Sequence, residues 1–178
     1  MENRQRIAKF EKVSFEQYVK DYIDTFGETN KEEIKKIYDS IQLPKRATVG
    51  SAGYDFYLPF GIKLLPNEQI KIPTGIRAYM EMGWVLQTYP RSGLGHKYRF
   101  QLNNTVGIID SDYYYSSNEG HIMAKMANMG LEDKTIELEA STAFMQGLFI
   151  QYGITLDDEV TEIRDGGFGS TTKKPIKQ

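Results

Sequence analysis

The feature that most constrains the fold is a series of short β-type runs that begins after residue 52. Each run is rich in β-branched, aromatic or alternating apolar residues and ends at breakers such as Pro-Phe-Gly, Pro-Asn or Pro-Thr-Gly. In QIKI, for example, Ile70 and Ile72 are placed on one face of a strand and Gln69 and Lys71 on the other. Many short strands predict a barrel or a jelly-roll sandwich, so we expect a mainly β fold. The runs are YDFYL, IKLL, QIKI, GIRAYM, WVLQTY, VGII, HIMAKM, KTIELEA and FMQGLFIQY.

The chain before these runs has a helical pattern. Apolar residues recur at helical spacing from Phe15 to Phe26, with Ser14 and Gln17 placed as a capping box and Gly27 as a C-terminal stop. A second helical stripe follows and must end before Pro44. We therefore predict an N-terminal helical hairpin.

The composition fits one domain with appendages. With 178 residues and 40% apolar content, the chain can bury one core. We expect a helical extension over 1–42, a β-barrel over 43–160 and an arm over 161–178. The arm is rich in Gly, Ser, Thr and Lys, so we expect it to be flexible. The absence of cysteine excludes disulfides and thiolate metal sites. His96 and His121 have no companions at ligand spacing, so we interpret both as structural or surface residues.

Charge and hydropathy narrow the expected partners and location. The net charge of −2 gives no general attraction to nucleic acid or to an anionic membrane. No apolar run is long enough to span a bilayer, and the start MENRQRIAKF lacks the apolar core of a signal peptide. We expect a cytoplasmic protein that binds neither membranes nor nucleic acid directly.

Four segments combine glycine with charged or hydroxyl side chains: SAGYDF (51–56), PRSGLG (90–95), NTVGIIDSDY (104–113) and RDGGFGST (164–171). Glycine lets backbone amides approach a phosphate closely, while the polar side chains can be aimed at its oxygens. Taken together, the segments predict one polyphosphate site.

The first three segments carry distinct chemistry. Arg91 and Ser92 can bind phosphate oxygens, although PRSGLG alone also fits a surface turn. Asp110 follows an apolar strand and is a candidate general base, and Tyr113 offers a flat face to a sugar or base; the alternative is a plain hairpin turn. Asp55, between two aromatic residues, can serve a hydrated cation or can simply face solvent.

The fourth segment places three glycines around Phe168, between Arg164 and the hydroxyls of Ser170 and Thr171. This set could wrap a triphosphate and stack on a base. It also fits a disordered linker or an RGG-type nucleic-acid tail, but such tails normally repeat and this one does not.

In chain order, the four segments resemble motifs one, two, three and five of the trimeric all-β dUTPases, and FMQGLF (144–149) resembles motif four. LPKRATVGSAGYD and PRSGLGHK are especially close to the family pattern, and the resemblance spans about 43–171. It implies a jelly-roll barrel, a homotrimer whose sites are built from more than one subunit, and hydrolysis of dUTP to dUMP and pyrophosphate with Mg²⁺.

The resemblance also implies a role for each matching residue. Asp110 would activate the attacking water, Tyr113 would pack on deoxyribose and exclude a 2′-hydroxyl, and Asp55 would hold Mg²⁺ through its waters. Residues that would read uracil are Asn104, Gly107 and Ile109. Those that would bind phosphate or position water are Arg91, Ser92, Gly93 and Gln146. The closing arm would comprise Arg164, Phe168, Gly169, Ser170 and Thr171, with Phe168 stacked over uracil.

The sequence departs from the family pattern in motifs four and five. Ser141, Thr142 and Ala143 stand where the family usually has a glycine and an arginine before its glutamine, so a phosphate or interface contact is missing or supplied elsewhere. After Ser170 and Thr171 the chain continues with threonine where glycine is usual, which would alter closure of the arm.

Two segments are extra relative to the compact family pattern: 114–140, which we expect to be an insert in the barrel, and the helical hairpin before residue 43. Both resemble phage-encoded members from Gram-positive hosts, some of which bind repressor proteins of mobile elements. An alternative function is therefore a nucleotide-gated regulatory protein that binds such a repressor, in addition to catalysis or in its place. Aromatic and Met side chains in the insert would favour this alternative: Tyr114, Tyr115, His121 and Met123. A related scaffold, dCTP deaminase, needs a different third motif, and IDSDY argues against it.

Overall fold

A computed structural model describes residues 5–130, 134–162 and 164, and it confirms the predicted mainly β fold. The strands are β1 (Ala8–Lys12), β2 (Tyr54–Tyr57), β3 (Ile62–Leu64), β4 (Gln69–Pro73), β5 (Ile76–Met80), β6 (Trp84–Pro90), β7 (Phe100–Leu102), β8 (Gly107–Ile109), β9 (Met123–Asn128), β10 (Ile136–Leu138) and β11 (Ala143–Gln151). The helices are α1 (Phe15–Phe26), α2 (Lys31–Ser40) and α3 (Ser92–Tyr98), and a 3-10 helix covers Ser111–Tyr115. Each predicted β-type run overlaps one of these strands, whereas β1 and β7 lie outside all of the runs.

The described strands pair in antiparallel fashion in two larger sheets, with strand orders β2-β11-β6-β8 and β4-β9-β7, and in the pairs β1-β5 and β10-β3. One buried apolar cluster joins them. Its fully buried members include Phe56, Leu86 and Phe144 from the four-stranded sheet and Ile72 and Met126 from the three-stranded sheet. Each such side chain contributes roughly 1.5–3 kcal/mol on burial, so the cluster fixes the relation between the sheets.

The predicted helical hairpin is present and packs on the barrel. Ser14 caps α1 by accepting the Gln17 N–H at 3.1 Å, and Gly27 ends the helix with φ of 69°. Tyr18 of α1 and Ile34 of α2 are fully buried in the same cluster as the sheets. Among the described residues, none of the helices combines the length and the apolar character that a membrane crossing requires.

Strand β1 lies where the sequence predicted part of the helical extension. It pairs with β5, with Phe10 opposite Ala78. The Phe10 ring packs against Tyr54, Phe56 and Phe149 at centroid distances of 5.3 to 5.5 Å. These contacts come from distant parts of the chain. Three of the five residues of AKFEK are charged and no glycine or proline flanks it, so the sequence does not mark it as a strand.

The segment 114–140 contributes to the barrel itself. It contains β9, which is the central strand of the β4-β9-β7 sheet, and β10, which pairs with β3. The part of this segment that follows the 3-10 helix, residues 116–122, leads directly into β9.

Candidate functional site

Asp110 lies where β8 ends. Ile109 is opposite Leu86 of β6, and the chain then turns into the 3-10 helix with Asp110 at its N-cap position, where its side chain makes no capping hydrogen bond. The side chain is 49% exposed and lines an open cleft of about 700 Å³ together with Asp112. The pairing of β8 with β6 therefore aims a carboxylate at solvent from the edge of the core.

Arg164 joins the two carboxylates. Its Nη2 donates to Asp110 Oδ2 at 2.5 Å and its Nε donates to Asp112 Oδ1 at 2.9 Å, while its guanidinium lies 5.8 Å from the centroid of the Tyr113 ring. The pKa of Asp110 lies above its ordinary value, and the main cause is burial of the carboxyl group. The neighbouring Asp112 charge also raises this pKa, whereas the Arg164 charge lowers it. Arg164, the first residue of RDGGFGST, therefore contacts the C-terminal end of NTVGIIDSDY.

Tyr113 is more buried than its sequence position suggests. Only 3% of it is exposed, its hydroxyl donates to the His121 carbonyl at 2.8 Å, and Asn118 Nδ2 donates to that hydroxyl at 2.8 Å. Burial raises the pKa of the phenol. The phenol is therefore anchored in the loop that follows the 3-10 helix, with its ring beside Arg164.

Asn104, Gly107 and Ile109 line a cavity of about 290 Å³ between the two larger sheets. This volume is at the lower end of the range for ligand pockets. Gly107 is opposite Thr88 of β6, and a Cβ at Gly107 would lie 2.3 Å from Thr88 Oγ1. A side chain at this position would therefore have to displace Thr88, which lines the same cavity.

Asp55, Arg91 and Gln146 form a second polar group. Asp55 is opposite Gln146 of β11. The Arg91 Nε lies 3.3 Å from Asp55 Oδ1, and Gln146 Nε2 donates to the Pro90 carbonyl at 3.3 Å. A Cβ at Gly53 would lie 2.6 Å from Gln146 Oε1, so a side chain there would displace the end of the Gln146 side chain.

Ser92 and Gly93 begin α3, so this exposed segment is a short helix where the sequence also fitted a turn. The helix ends at Arg99, which has φ of 50° and donates its N–H to the carbonyls of Leu94 and Gly95. Leu94 and Tyr98 pack against the core cluster. These long-range contacts offset the low helix propensity of the two glycines.

The two polar groups lie at opposite ends of the β6-β8 pair. Asp110 follows Ile109, which is opposite Leu86, whereas Arg91 follows the last residue of β6. Arg91 is five positions beyond Leu86, or about 17 Å at the usual rise of a strand. One chain therefore does not bring Asp110 and Arg91 into a single site.

Comparisons with known proteins match this arrangement to one family. The dUTPase family model matches residues 39–172. The chain belongs to the dUTPase family. A deoxyuridine 5′-triphosphate nucleotidohydrolase from Lactococcus lactis is 42% identical over 134 residues, covering 74% of this chain and 88% of the relative. One from Coxiella burnetii is 38% identical over 143 residues, covering 77% and 91%.

Solved dUTPase structures share the fold. The crystal structure of dUTPase from Streptococcus mutans has a TM-score of 0.60 and 34% identity, covering 82% of this chain and 97% of that one. The dUTPase from phage phi11 of S. aureus has a TM-score of 0.56 at 19% identity, covering 68% and 90%, and is similar in fold alone. The predicted membership of the dUTPase family is confirmed.

The remaining predicted residues of this dUTPase-family chain lie outside the described range or away from the expected surface. Phe168, Gly169, Ser170 and Thr171 lie outside the described residues. His121 is fully buried, so its expected contribution to a partner-binding surface is wrong, and the structural reading of this histidine is the correct one. Asp112, Asn118 and Thr88 were missed as supporting residues. Asp112 could have been found from its spacing to Asp110, whereas the other two are brought in only by tertiary contacts.

Proposed function

We propose that this dUTPase-family protein is a dUTP diphosphatase that hydrolyses dUTP to dUMP and pyrophosphate. The observation that carries the proposal is Asp110, a carboxylate of raised pKa at the end of β8, which lies next in sequence to Ile109 in the wall of a small cavity. A carboxylate that is partly desolvated and still open to water suits general-base chemistry.

In the proposed reaction, Asp110 accepts a proton from a water molecule as that water attacks the α-phosphorus. The new bond joins the water oxygen to the α-phosphorus, and the bond to the oxygen that bridges the α- and β-phosphorus breaks. Pyrophosphate leaves with that oxygen, dUMP keeps the new one, and the proton passes from Asp110 to solvent. A positioned base of this kind contributes about 10²- to 10⁴-fold in rate.

The cavity between the sheets supports the proposed recognition of uracil. Its lining includes the exposed residue Asn104 and the buried residues Gly107 and Ile109 of β8. Tyr113 would pack on the deoxyribose and leave no room for a 2′-hydroxyl. Its hydroxyl is held by two hydrogen bonds, so the ring would meet the sugar as a rigid surface.

The phosphate groups would be bound by Arg91, Ser92, Gly93 and Gln146, with Arg164 and the remainder of the arm closing over them. When bound, Mg²⁺ would neutralise charge on the phosphate oxygens. The described residues contain no group of three or more His, Asp or Glu side chains that could hold a metal ion. Asp55, with a 14% exposed side chain beside Arg91, fits a role through water, with the phosphates as direct ligands.

A homotrimer with shared sites would bring the separated groups together. The described chain keeps Asp110 and Arg91 at opposite ends of the β6-β8 pair. Two exposed apolar side chains, Met82 (90%) and Val160 (78%), line the same cleft as Asp110. Exposed apolar groups of this kind mark contact surfaces. A neighbouring copy that covers them could also supply Arg91 to the Asp110 of this chain.

Pyrophosphate release from dUTP, dTTP, dCTP and UTP, each with Mg²⁺, tests the proposed function. Selective cleavage of dUTP is expected, because the small cavity limits the base and Tyr113 limits the sugar. Equal cleavage of UTP would contradict the role of Tyr113. No release from any of the four nucleotides would contradict the enzymatic proposal, and ammonia release from dCTP would identify the deaminase instead.

We expect opposite shifts in the pH profile when the two charges next to Asp110 are removed. Arg164→Gln removes a charge that lowers the pKa of Asp110, so the acidic limb of kcat/KM for dUTP moves to higher pH. Asp112→Asn removes a charge that raises this pKa, so the limb moves to lower pH. Profiles measured at one ionic strength check both signs, and two unmoved limbs would show that another group titrates.

A regulatory role is the second candidate, favoured by one exposed aromatic side chain. Tyr115 is 74% exposed, whereas the Tyr114 ring lies under Arg77, with the guanidinium 4.4 Å from its centroid. A deletion of residues 114–118 would also remove Ser116 and Asn118, which form hydrogen bonds to Tyr113. A point variant is therefore the sharper probe. Tyr115→Ala should weaken binding to a mobile-element repressor and leave dUTP hydrolysis unchanged. Unchanged repressor binding, or none by the wild type, would argue against this role.

A further inference from the structure

A chain of hydrogen bonds runs from helix α1 to Tyr113. At its inner end, the Tyr113 hydroxyl donates to the backbone carbonyl of His121 at 2.8 Å. The His121 N–H donates to the Asn118 carbonyl at 3.0 Å, and Asn118 also donates to the Tyr113 hydroxyl through its side chain. The position of the phenol therefore depends on where His121 is held.

The His121 imidazole is fixed at both nitrogens. It is fully buried, and its Nε2 accepts the backbone N–H of Gly75 at 2.8 Å. Because Nε2 accepts, the neutral ring carries its proton on Nδ1, which donates to Asp21 Oδ2 at 2.5 Å. A hydrocarbon at this position would leave the Gly75 N–H buried without this acceptor, which is destabilising.

Asp21 belongs to α1, outside the barrel. The same Oδ2 accepts Gln17 Nε2 at 2.8 Å, and the Asp21 side chain is 19% exposed. Burial alone would raise the pKa of Asp21, but the hydrogen bonds from His121 and Gln17 outweigh it and hold the pKa below its ordinary value. The carboxylate is thus charged and fixed, and it orients the imidazole in the way that buried carboxylates commonly orient histidine.

We infer that His121 is a positioning residue for Tyr113, and that Asp21 of α1 holds it there, so that selection of deoxyribose over ribose depends on the N-terminal hairpin. This inference rests on the proposed sugar-discriminating role of Tyr113. His121 and Asp21 touch no substrate in this scheme. They set the position of the Tyr113 ring, which is the group proposed to contact the sugar.

A second contact between α1 and the same loop provides a matched control. The Ser14 hydroxyl donates to Glu119 Oε1 at 2.6 Å and its N–H donates to Glu119 Oε2 at 2.7 Å, and Ser14 also caps α1. Ser14→Ala removes the cap and one hydrogen bond to the loop without touching the hydrogen bonds that lead to Tyr113. It weakens the docking of α1 but leaves the proposed positioning path in place.

The test compares kcat/KM for dUTP and for UTP in wild type, Asp21→Ala, Asp21→Asn, Ser14→Ala and Tyr113→Ala. We expect Asp21→Ala to lower the dUTP-to-UTP selectivity by about tenfold or more, a typical effect when a group that discriminates substrates is misplaced. Asp21→Asn can still accept from His121 Nδ1 and should restore part of the selectivity. Ser14→Ala should keep the selectivity within about twofold of wild type, even if its Tm falls as much as that of Asp21→Ala.

The outcomes separate this inference from the proposed function. Lost selectivity in Tyr113→Ala with unchanged selectivity in both Asp21 variants would overturn the inference and leave the function intact. An equal loss in Ser14→Ala would also overturn it, because general loosening of α1 would then explain the effect. Full refusal of UTP by Tyr113→Ala would overturn the role of Tyr113 itself. If Asp21→Ala does not fold, Asp21→Asn and His121→Gln carry the comparison, and wild-type selectivity in both would overturn the inference.

Discussion

Asp110→Asn is expected to lower the turnover of dUTP by about 10²- to 10⁴-fold while dUTP binding is retained. The amide has nearly the same shape as the carboxylate and can still occupy the end of β8, but it cannot accept a proton from water at neutral pH. Single-turnover hydrolysis and equilibrium binding of dUTP, measured on the same preparation, separate the chemical step from affinity. Full turnover in this variant would refute the proposed mechanism.

Asp112→Asn is the matched control for this substitution. Asp112 lies two residues further along the 3-10 helix, accepts from the same Arg164 and has a side chain that is 50% exposed, close to the 49% of Asp110. Removing either charge therefore disturbs the Arg164 contact to a similar degree. We expect Asp112→Asn to keep turnover within about tenfold of wild type, since its carboxylate is not the proton acceptor. An equal loss in both variants would mean that the ion-pair cluster, rather than one base, governs the rate.

The β-rich fold could be predicted because its signals are local. Alternation and turn residues mark the strands from Tyr54 onward except β7, which lies in none of the predicted runs. The cap at Ser14 and the stop at Gly27 mark α1. Strand β1 and helix α3 could not be predicted in this way. Phe10 is held in β1 by rings from other strands, and the glycines of α3 favour a turn unless the packing of Leu94 and Tyr98 is known.

The candidate site was predictable to the extent that its residues lie in short motifs. Arg164 meets Asp110 across 54 residues of chain, a contact that no local pattern indicates. The link from Asp21 to His121 spans 100 residues and joins two residues that lie in no motif. Burial of Tyr113 was missed for the same reason, because its neighbours in sequence are polar or aromatic while its hydroxyl partners lie in the following loop.

Mixing two impaired variants should restore hydrolysis if the sites are shared between subunits. Asp110→Asn lacks the proposed base, and Arg91→Gln lacks the proposed phosphate clamp while keeping a donor for Asp55. In a closed ring of three, each shared site takes Asp110 from one subunit and Arg91 from its neighbour. The Arg91→Gln subunit keeps Asp110, and the Asp110→Asn subunit keeps Arg91. A site is therefore intact when an Arg91→Gln subunit supplies Asp110 and an Asp110→Asn subunit supplies Arg91. After exchange at equal concentrations, about a quarter of the sites meet this condition, so about a quarter of wild-type turnover is expected.

The recovered activity is informative because neither parent can supply it alone. Native mass spectrometry verifies that mixed trimers have formed, and a mixture of Asp110→Asn with the double variant Asp110→Asn, Arg91→Gln controls for exchange itself, since no subunit there carries Asp110. Verified mixed trimers that remain as inactive as their parents would place the whole site within one chain. That result would conflict with the separation of the two groups along the sheet. Arg91 follows the end of β6 and is five positions, or about 17 Å at the usual rise, beyond Leu86, and Asp110 is next to the partner of Leu86. Recovery near a quarter would identify the neighbouring subunit as the source of the phosphate clamp.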